Sequence, residues 1–560
     1  MPSGPRARRA LTEAARRGYR VAQQVRPRAR ATDGRTASSV CLELAELSDG
    51  GRGDEVRALI RREMGALSTD VAFLDLARQA CSRAGEPTLQ RELVLLQIAA
   101  TPAAQGPVRA RLHRALRSVE GRLRETDPAW APTVPPEVLA AAAAEHASAR
   151  SARGEDAPRR PAHLLKVALP QRQSGYSVRS RYSLAAQLEA GLDPVAITAL
   201  DVAGDAPSPQ DVHGVPHHRL VREATPDKEA YDEHLDAYAA ALAPVLARTG
   251  ADLLHVHSGG RGYDSALVGG AVARALGLPW VYEVRGFFEA TWSPDPEHAE
   301  EAETYRRRRA TDTRAMLAAD AVVTLSESMR GDIVGRGVPA ERVHVVPNGV
   351  DAQAFSPSER RPELVQRYGL EGRFVFGYVS NLDHYREAQE LLVDAAMALR
   401  TNGVDATALV VGDGQRRAEV EAHAEAVGAG DAVVFTGRVP HDEVLDHYAL
   451  MDVFVVPRVD EQAARLVTPL KPFEAMAAGL PLVVSDLPAL TEIIGDGARG
   501  VPFAAGDAGA LADVLAELHA DPERRARLGV SGRRWVSAER SWSANGPRYQ
   551  AVYDAVLRDR

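Results

Sequence analysis

The chain of 560 residues is too long for a single hydrophobic core, and we expect about two to four domains. Its apolar content of 45% and its charged content of 26% are typical of a soluble globular protein. No apolar run approaches the roughly 20 residues of a membrane-spanning helix. The two cysteines, Cys41 and Cys81, have no metal-binding spacing, which predicts a reducing compartment without a disulfide framework. Because a signal-peptide core is also lacking, we expect a cytoplasmic protein.

The net charge of −8 is unevenly distributed along the chain. The basic N-terminal tail, residues 1–35, contains ten arginines against Glu13 and Asp33. Its charge predicts a disordered, solvated tail. Alternatively, Ala10–Val25 forms a basic amphipathic helix that contacts the anionic inner face of the plasma membrane. Arginine replaces lysine almost everywhere, which is typical of a GC-rich bacterial coding sequence. We expect no nucleic-acid partner.

Residues 36–126 have a helical pattern throughout and predict a domain of helical hairpins. Pairs of these helices repeat at about 34 residues, which resembles tetratricopeptide (TPR) repeats. The expected role of this domain is packing or docking of a protein partner. The predicted helices span residues 39–48, 53–66, 69–83, 87–101 and 106–124.

The remaining chain alternates short aliphatic strands with helices, after a linker at 127–162 that contains one short Ala-rich helix. This pattern predicts two Rossmann-like α/β domains, each a parallel sheet with helices on both faces, at 163–347 and 348–540, and a C-terminal helix at 541–560. The predicted strands of the first domain span 164–169, 194–198, 253–257, 280–284, 321–325 and 343–346. Those of the second span 374–379, 406–411, 433–436, 453–456 and 482–485.

Ligands of such sheets bind beyond the carboxyl ends of the strands, so we searched those positions for chemistry. In the first domain, Gly175 follows the first strand, where glycine lets the backbone approach a phosphate or sugar closely. His257 ends the third strand, and Arg285 follows the fourth. Alternation along the strand predicts that His255 and His257 point the same way. Neither domain has the GxGxxG pattern of a nicotinamide-dinucleotide site.

The most informative stretch is 466–486, which predicts a helix beginning near Pro469 and a buried strand after Gly479 and Pro481. The start of this helix offers free N–H groups, the Thr468 hydroxyl and the Lys471 cation, a combination suited to a pyrophosphate. Glu474 lies three residues after Lys471 on the same face, where a carboxylate can accept hydrogen bonds from ribose. An ordinary amphipathic helix of an α/β domain is the alternative. Arg386 and Arg458 are further candidate cations for a diphosphate.

Residues 164–540 resemble the GT-B glycosyltransferases of family 4. The matching stretches are 174–180, 282–286, 346–351, 411–414, 435–438 and 468–477. The resemblance implies a retaining, metal-independent transfer of sugar from a nucleotide to an acceptor such as a glycan or a lipid-linked molecule, as in polysaccharide biosynthesis. It implies that Glu474 holds ribose, that Lys471 and Arg458 hold the diphosphate, and that residues 437–439 hold the base. It also implies that the loop at Gly175 closes over the diphosphate and that Arg285 faces the donor sugar.

The resemblance and the strand-end positions together give two sets of candidate residues. The predicted catalytic residues are Lys471, Arg458, Arg285 and His257. The predicted donor-binding residues are Gly175, Tyr176, Ser380, Asn381, Arg386, Gly412, Gly437, Arg438, Val439, Thr468, Pro469, Leu470 and Glu474. We expect no metal ligand and no cofactor.

One position departs from the family pattern. Family members often carry E-x7-E, but Leu466 occupies the position of the first glutamate. A catalytically degenerate protein that acts as a scaffold or binding protein is therefore one alternative. A sugar-nucleotide epimerase, which would convert the donor without an acceptor, is another.

Overall fold

The computed structural model describes residues 30–154, 156–202, 208–222, 224, 229–289, 299–495 and 497–558. The six arginines of the tail that would contact lipid under the membrane alternative (6, 8, 9, 16, 17 and 20) lie outside these residues. Within the described part, no helix is long and apolar enough to cross a membrane. Cys41 and Cys81 are both buried free thiols, in agreement with the predicted lack of disulfides.

The N-terminal region is helical, as predicted. Asp70 caps the third helix by accepting a hydrogen bond from the Phe73 N–H, which satisfies one free donor of the first turn. Leu44, Ile60 and Phe73 meet in a shared core that is separate from the sheets. The helices are α1 (Ala37–Asp49), α2 (Gly53–Glu63), α3 (Val71–Arg83), α4 (Pro87–Ala100), α5 (Gly106–Glu125) and α6 (Pro136–Arg153).

The first α/β domain, the N-terminal sheet domain, contains an eight-stranded sheet in the order β3-β4-β2-β1-β5-β6-β7-β8. All neighbours are parallel except β3, which pairs antiparallel with β4. The β3–β4 hairpin was not predicted. The strands are β1 (Pro161–Leu165), β2 (Val195–Val202), β3 (Gln210–Val212), β4 (Val215–Arg222), β5 (Leu253–His257), β6 (Trp280–Glu283), β7 (Ala321–Thr324) and β8 (Val343–Val345). The helices are α7 (Gly175–Glu189), α8 (Tyr231–Thr249), α9 (Asp264–Ala275), α10 (Glu303–Ala318) and α11 (Glu327–Gly335).

The second, the C-terminal sheet domain, contains a six-stranded parallel sheet in the order β11-β10-β9-β12-β13-β14. Its strands β9, β10, β12 and β13 are fully buried and read as unbroken apolar runs, as expected when helices cover both faces. The strands are β9 (Phe374–Val379), β10 (Ala406–Val411), β11 (Val433–Gly437), β12 (Val453–Val456), β13 (Leu482–Ser485) and β14 (Gly500–Phe503). The helices are α12 (Pro362–Tyr368), α13 (Glu390–Thr401), α14 (Arg417–Ala426), α15 (Val444–Ala449), α16 (Gln462–Leu466), α17 (Lys471–Ala477), α18 (Pro488–Ile494), α19 (Ala508–Ala520) and α20 (Pro522–Glu539).

The last helix, α21 (Asn545–Arg558), returns to the N-terminal sheet domain. Tyr549, Val552, Tyr553 and Val556 lie at helical spacing and form one apolar face, which packs on one face of β5, β6 and β7. The chain therefore crosses twice between the two sheet domains. Because of the second crossing, the C-terminal sheet domain is connected to the N-terminal sheet domain at both its start and its end.

The helical region packs on the N-terminal sheet domain. Helices α5 and α6 both contact α8. The carboxylate of Asp232 on α8 is fully buried and accepts two hydrogen bonds from Arg117 at 2.9 Å and one from Arg124 at 3.2 Å. The predicted linker 127–162 thus contains a helix that is part of this packed layer.

Candidate active site

The start of α17 carries the residues that we predict to bind the donor. The Lys471 Nζ donates to Oε2 of Glu474 at 2.9 Å, and the Tyr448 hydroxyl donates to the same oxygen at 2.9 Å. Both side chains are partly open to solvent, with exposed fractions of 32% for Lys471 and 13% for Glu474. Within the described residues both bonds fall on Oε2, so Oε1 of Glu474 is left for a further donor. The helix begins at Lys471, two residues after the predicted start.

The carboxyl ends of β9, β10 and β11 lie side by side at one edge of the C-terminal sheet, as the sheet order requires. Gly412 has φ of +134°, and a Cβ there would lie 1.8 Å from the carbonyl oxygen of Ser380, so only glycine fits. The Gly412 N–H donates to the carbonyl oxygen of Gly437 at 3.1 Å. The predicted donor-binding residues Ser380, Gly412 and Gly437 are therefore brought together. Asn381 and Arg438 lie next to them and are exposed, and Val439 is half-buried.

Arg458 is not the free cation that the sequence suggested. It follows β12, is buried, and donates to Oε1 of Glu387 at 2.9 Å and to the carbonyl oxygen of Val467 at 2.9 Å. Burial alone would raise the pKa of Glu387, but the charge of Arg458 and the hydrogen bonds from Tyr378 and Arg458 bring this pKa below its ordinary value. A buried guanidinium needs such a partner, so Arg458 positions the chain at Val467.

Arg386, one residue before Glu387, is the more available cation of the two. Its side chain is 31% exposed, and its nearest acidic oxygens, on Glu461 and Glu387, lie at 3.7 and 3.8 Å. Burial raises the pKa of Tyr176 to about 12, although the positive charges of Arg285 and Arg386 oppose that rise. The strand ends of the two sheet domains therefore face each other across a cleft.

Leu466 and Thr468 both contact residues outside the C-terminal sheet domain. Leu466 packs against the core of the N-terminal sheet domain, and its carbonyl oxygen accepts a hydrogen bond from Ser326 at 3.1 Å. Thr468 is buried, and its carbonyl oxygen accepts a hydrogen bond from Asn348 at 2.9 Å. Leu466 thus fills an apolar contact between domains where a glutamate could not be buried without a partner. Nδ2 of Asn348 also donates to the Thr468 hydroxyl oxygen at 3.5 Å, so this hydroxyl lies at the contact with Asn348.

Arg285 is held in place by the N-terminal sheet domain and keeps one donor free. Its Nε donates to Glu283 at 2.7 Å, and its Nη1 donates to Ser180 at 2.8 Å and to the carbonyl oxygen of Tyr176 at 3.0 Å. Its Nη2 is buried and has no partner among the described residues. A buried donor without a partner costs free energy, and a ligand oxygen would relieve that cost.

Glu283 is the centre of a buried polar network. It accepts hydrogen bonds from Arg179 at 3.0 Å, from Arg285, and from the Tyr549 hydroxyl of α21 at 2.8 Å. Burial alone would raise its pKa, but the charges of Arg179 and Arg285 hold this pKa well below its usual value. The network therefore fixes the direction of Arg285, and the sequence analysis missed it because its members come from three distant segments.

His257 belongs to this network and does not line the cleft. Its ring is buried, shares a hydrogen bond of 2.9 Å with His163, and stacks on His255 with ring centroids 4.6 Å apart. His255 and His257 do point the same way, as predicted. Burial lowers the pKa of all three imidazoles, which favours their neutral form.

Among the described residues, the three histidines form a cluster with the spacing of a possible metal site. Their ligand nitrogens lie within 4.8 Å of one another. Arg179 and Arg285 already neutralise the adjacent Glu283, and their charges oppose the binding of a further cation there. The cluster is therefore best explained as part of the polar core.

The remaining predicted residues lie at the boundary between the domains. A Cβ on Gly175 would lie 3.7 Å from Cδ1 of Leu470, so the start of α7 reaches the start of α17. Pro469 lies next to Leu470 and is half-buried. The Tyr176 ring points to the N-terminal sheet domain, where it packs against Phe288 with centroids 6.4 Å apart. Two sheet domains with a cleft between their strand ends define the GT-B class of glycosyltransferases.

Comparison with known proteins agrees with this class. Residues 360–535 match the family described as "Glycosyl transferases group 1", and residues 174–349 match the "Glycosyl transferase 4-like domain". The chain belongs to the group 1 glycosyltransferases. It is therefore an enzyme of sugar transfer that uses a nucleotide-activated donor.

Two relatives in sequence and one solved structure are similar to this chain. The GDP-mannose-dependent alpha-(1-6)-phosphatidylinositol monomannoside mannosyltransferase of Mycolicibacterium smegmatis is 31% identical over 286 residues, which are 50% of this chain and 71% of that protein. The 2-deoxystreptamine glucosyltransferase of Streptomyces kanamyceticus is 30% identical over 293 residues, 52% of this chain and 73% of that protein. The sucrose-phosphate synthase of Thermosynechococcus elongatus has the same fold, with a TM-score of 0.58 and 23% identity, covering 72% of this chain and 100% of that one. These relatives support neither the scaffold nor the epimerase alternative.

Proposed function

We propose that this glycosyltransferase binds its nucleotide sugar at the start of α17 and transfers the sugar with retention to a glycan or lipid-linked acceptor. The arrangement of Lys471, Glu474 and Tyr448 carries the proposal. It combines a partly exposed ammonium group with a carboxylate whose second oxygen has no partner among the described residues. These are the groups that a diphosphate and a ribose require from neighbouring positions.

In this proposal the donor lies across the edge of the C-terminal sheet. Oε1 of Glu474 accepts hydrogen bonds from the ribose hydroxyls. Lys471 and Arg386, both partly exposed, interact with the diphosphate, and Nη2 of Arg285 donates to an oxygen of the donor from the opposite domain. Residues 437–439 contact the base, as the family resemblance implies. The cations then stabilise the charge that grows on the leaving diphosphate, and we propose that no bound metal ion is needed.

The family resemblance implies retention, and the state of the two buried carboxylates beside the cleft argues against a covalent glycosyl-enzyme intermediate. Glu283 pairs with Arg179 and Arg285, and Glu387 pairs with Arg458, so each is neutralised and neither serves as a nucleophile. The acceptor hydroxyl then attacks the sugar carbon from the side of the leaving group. The bond from that carbon to the diphosphate breaks, the bond to the acceptor oxygen forms, and the hydroxyl proton passes to the leaving phosphate.

We also propose that the enzyme acts in the bacterial cytoplasm near the plasma membrane. The arginine-rich tail supports this proposal, since each basic residue close to an anionic surface contributes about 1 kcal/mol. Co-sedimentation with anionic vesicles tests it, using the full chain and a variant with the six tail arginines 6, 8, 9, 16, 17 and 20 changed to glutamine. Equal pelleting of both proteins would contradict membrane contact through the tail and leave the transferase assignment untouched.

The donor is identified by titration calorimetry of the full chain with UDP-, GDP- and ADP-sugars. We expect at least one to bind with a Kd below about 1 mM, which corresponds to about 4 kcal/mol of binding free energy. If the folded protein binds none at millimolar concentration, the proposed donor site is wrong. Once a donor and an acceptor are found, the anomeric configuration of the product, read by NMR, decides between retention and inversion.

A further inference from the structure

Lys166 is the feature of the cleft that the donor site leaves unexplained. The chain contains 65 arginines and only three lysines, Lys166, Lys228 and Lys471. Lys166 directly follows β1, at the carboxyl edge of the N-terminal sheet, on the acceptor side of the cleft. It is half-buried, and burial lowers its pKa. A compact ammonium group at this position is suited to bind an anion.

Among the described residues, no anion pairs directly with Lys166. Within the part of the chain that the structure describes, Lys166 makes no hydrogen bond and no ion pair. Asp264 is near enough to act on its pKa, but the oxygens of Asp264 already accept bonds from the Tyr231 hydroxyl at 2.7 Å and from the N–H groups of Gly260 and Arg261 at 3.0 and 3.2 Å. The ammonium therefore keeps three donors for a ligand.

Two aromatic rings hold the ammonium in this position. Its Nζ lies 5.0 Å from the ring centroid of Tyr176 and 5.4 Å from that of Phe288, within the range of cation–π attraction. The Phe288 ring packs directly on Gly262, where φ is +89° and a Cβ would lie 2.9 Å from the ring. A larger residue at position 262 would therefore displace the Phe288 ring. Tyr176 and Phe288 form an aromatic shelf, and both residues are half-buried.

The shelf lies beside the donor groups. The carbonyl oxygen of Tyr176 accepts from Nη1 of Arg285, whose Nη2 has no partner among the described residues and is assigned to the donor in the proposed function. A ligand ring on the shelf would therefore lie next to the sugar to be transferred. A phosphate suits a single ammonium, which acts as a point charge, whereas a carboxylate is matched better by the planar fork of arginine that this chain uses elsewhere.

We propose that Lys166 and the aromatic shelf form an acceptor subsite that binds the phosphate group of a phosphorylated, ring-bearing acceptor. This inference rests on the proposed function and narrows it to one class of acceptor. The phosphate can belong to a soluble sugar phosphate or to a phospholipid head group, and the chemistry at Lys166 is the same for both. A neutral acceptor gains nothing from Lys166, and a cationic one is repelled.

The first test uses phenyl phosphate as the probe, with benzyl alcohol as its uncharged counterpart, in titrations of the full chain saturated with GDP or UDP. We expect phenyl phosphate to bind about tenfold more weakly to Lys166→Gln than to the wild type, the effect of one hydrogen bond to a charged group. Lys166→Arg should retain most of the affinity. Arg527→Gln, which removes an exposed charge on α20, should match the wild type. Equal affinity of wild type and Lys166→Gln, or no binding of phenyl phosphate to the wild type, overturns the inference.

The second test needs no variant, because so few lysines are present. Reductive methylation followed by mass spectrometry reports on Lys166 and Lys471 separately. We expect GDP or UDP to protect Lys471, and phenyl phosphate added to the nucleotide complex to protect Lys166. Protection of Lys471 without protection of Lys166 contradicts the acceptor subsite alone, whereas failure of every nucleotide to bind contradicts the proposed function.

Binding to vesicles distinguishes a lipid phosphate from the phosphate of a soluble sugar. If the phosphate belongs to a lipid, Lys166→Gln should bind less to vesicles of phosphatidylinositol in phosphatidylcholine and equally to pure phosphatidylcholine. If it belongs to a soluble sugar phosphate, vesicle binding should not change while the affinity for phenyl phosphate falls. Both outcomes support a phosphate at Lys166 and differ only in the molecule that carries it.

Discussion

Asn348 joins the two sheet domains through Thr468: its Nδ2 donates to the Thr468 carbonyl oxygen at 2.9 Å. Its Oδ1 accepts from Arg179 at 3.0 Å, so one buried amide links the polar network of the N-terminal sheet domain to the chain that leads into α17. The amide is suited to this place because it donates on one side and accepts on the other.

Asn348→Ala should lower turnover more than tenfold and lower the free energy of unfolding by about 1–3 kcal/mol, because it leaves a buried carbonyl and a buried guanidinium donor without partners. Steady-state kinetics and thermal unfolding measure the two effects. Asn402→Ala, at the exposed end of α13, is the matched control. Wild-type turnover in Asn348→Ala would show that the link does not position α17.

The pair of Glu387 and Arg458 gives a second prediction. Glu387→Leu should destabilise the protein by about 3–5 kcal/mol, because it leaves a buried arginine without its counter-charge. The double variant Glu387→Leu/Arg458→Met should lose less stability than Glu387→Leu alone. Denaturant midpoints of the two singles and the double provide the comparison, and a strictly additive loss would rule out the pairing as the source of the effect.

Ala388, which follows Glu387, has φ of +40°, in the left-handed region that favours glycine. The strain of alanine there exceeds the extra chain entropy of glycine, so Ala388→Gly should raise the free energy of unfolding by about 0.5–1 kcal/mol. Ala398→Gly, inside α13, should instead lower it by about 1 kcal/mol. A lower denaturant midpoint for Ala388→Gly would show that the left-handed geometry is not strained.

The buried histidines predict how stability depends on pH. Burial depresses the pKa of His163, His255 and His257 in the folded protein below the ordinary value of 6.5. Below pH 6.5 the unfolded chain therefore binds protons that the folded protein does not. Their contribution to stability is complete above pH 6.5 and falls as the pH drops, by up to about 1.4 kcal/mol per unit for each histidine.

Thermal unfolding at pH 7.5 and 5.5 tests this dependence. His255→Gln should reduce the difference in stability between the two pH values, whereas His113→Gln, on the exposed face of α5, should not. An unchanged difference in His255→Gln would mean that this ring is protonated in the folded state.

The sequence predicted the fold well because its two signals, the spacing of apolar residues and the residues that end helices and strands, are local. The predicted helix 87–101 is Pro87–Ala100, and the predicted strands 374–379 and 406–411 are found with the same bounds. Strand β14 was missed since Pro502 argues against a strand, but β14 is an edge strand, where proline costs no ladder hydrogen bond.

The sequence predicted the parts of the site that lie within one segment, such as Lys471 and Glu474. It could not predict that Arg458 is neutralised, because Glu387 lies 71 residues away and the pair forms only when two loops meet. For the same reason it placed His257 in the cleft. Lys166 could have been found, since its rarity among 65 arginines was visible from the start.

The central claim, a nucleotide-sugar site at the start of α17, is tested most directly by comparing Glu474→Ala and Lys471→Ala with the wild type. Calorimetry with the preferred donor and steady-state kinetics should be run on the same preparations. We predict that Glu474→Ala weakens donor binding by about 1–3 kcal/mol, since ribose hydroxyls lose a charged acceptor, and that Lys471→Ala lowers kcat more than donor affinity. Wild-type donor affinity in Glu474→Ala together with wild-type kcat in Lys471→Ala would contradict the account.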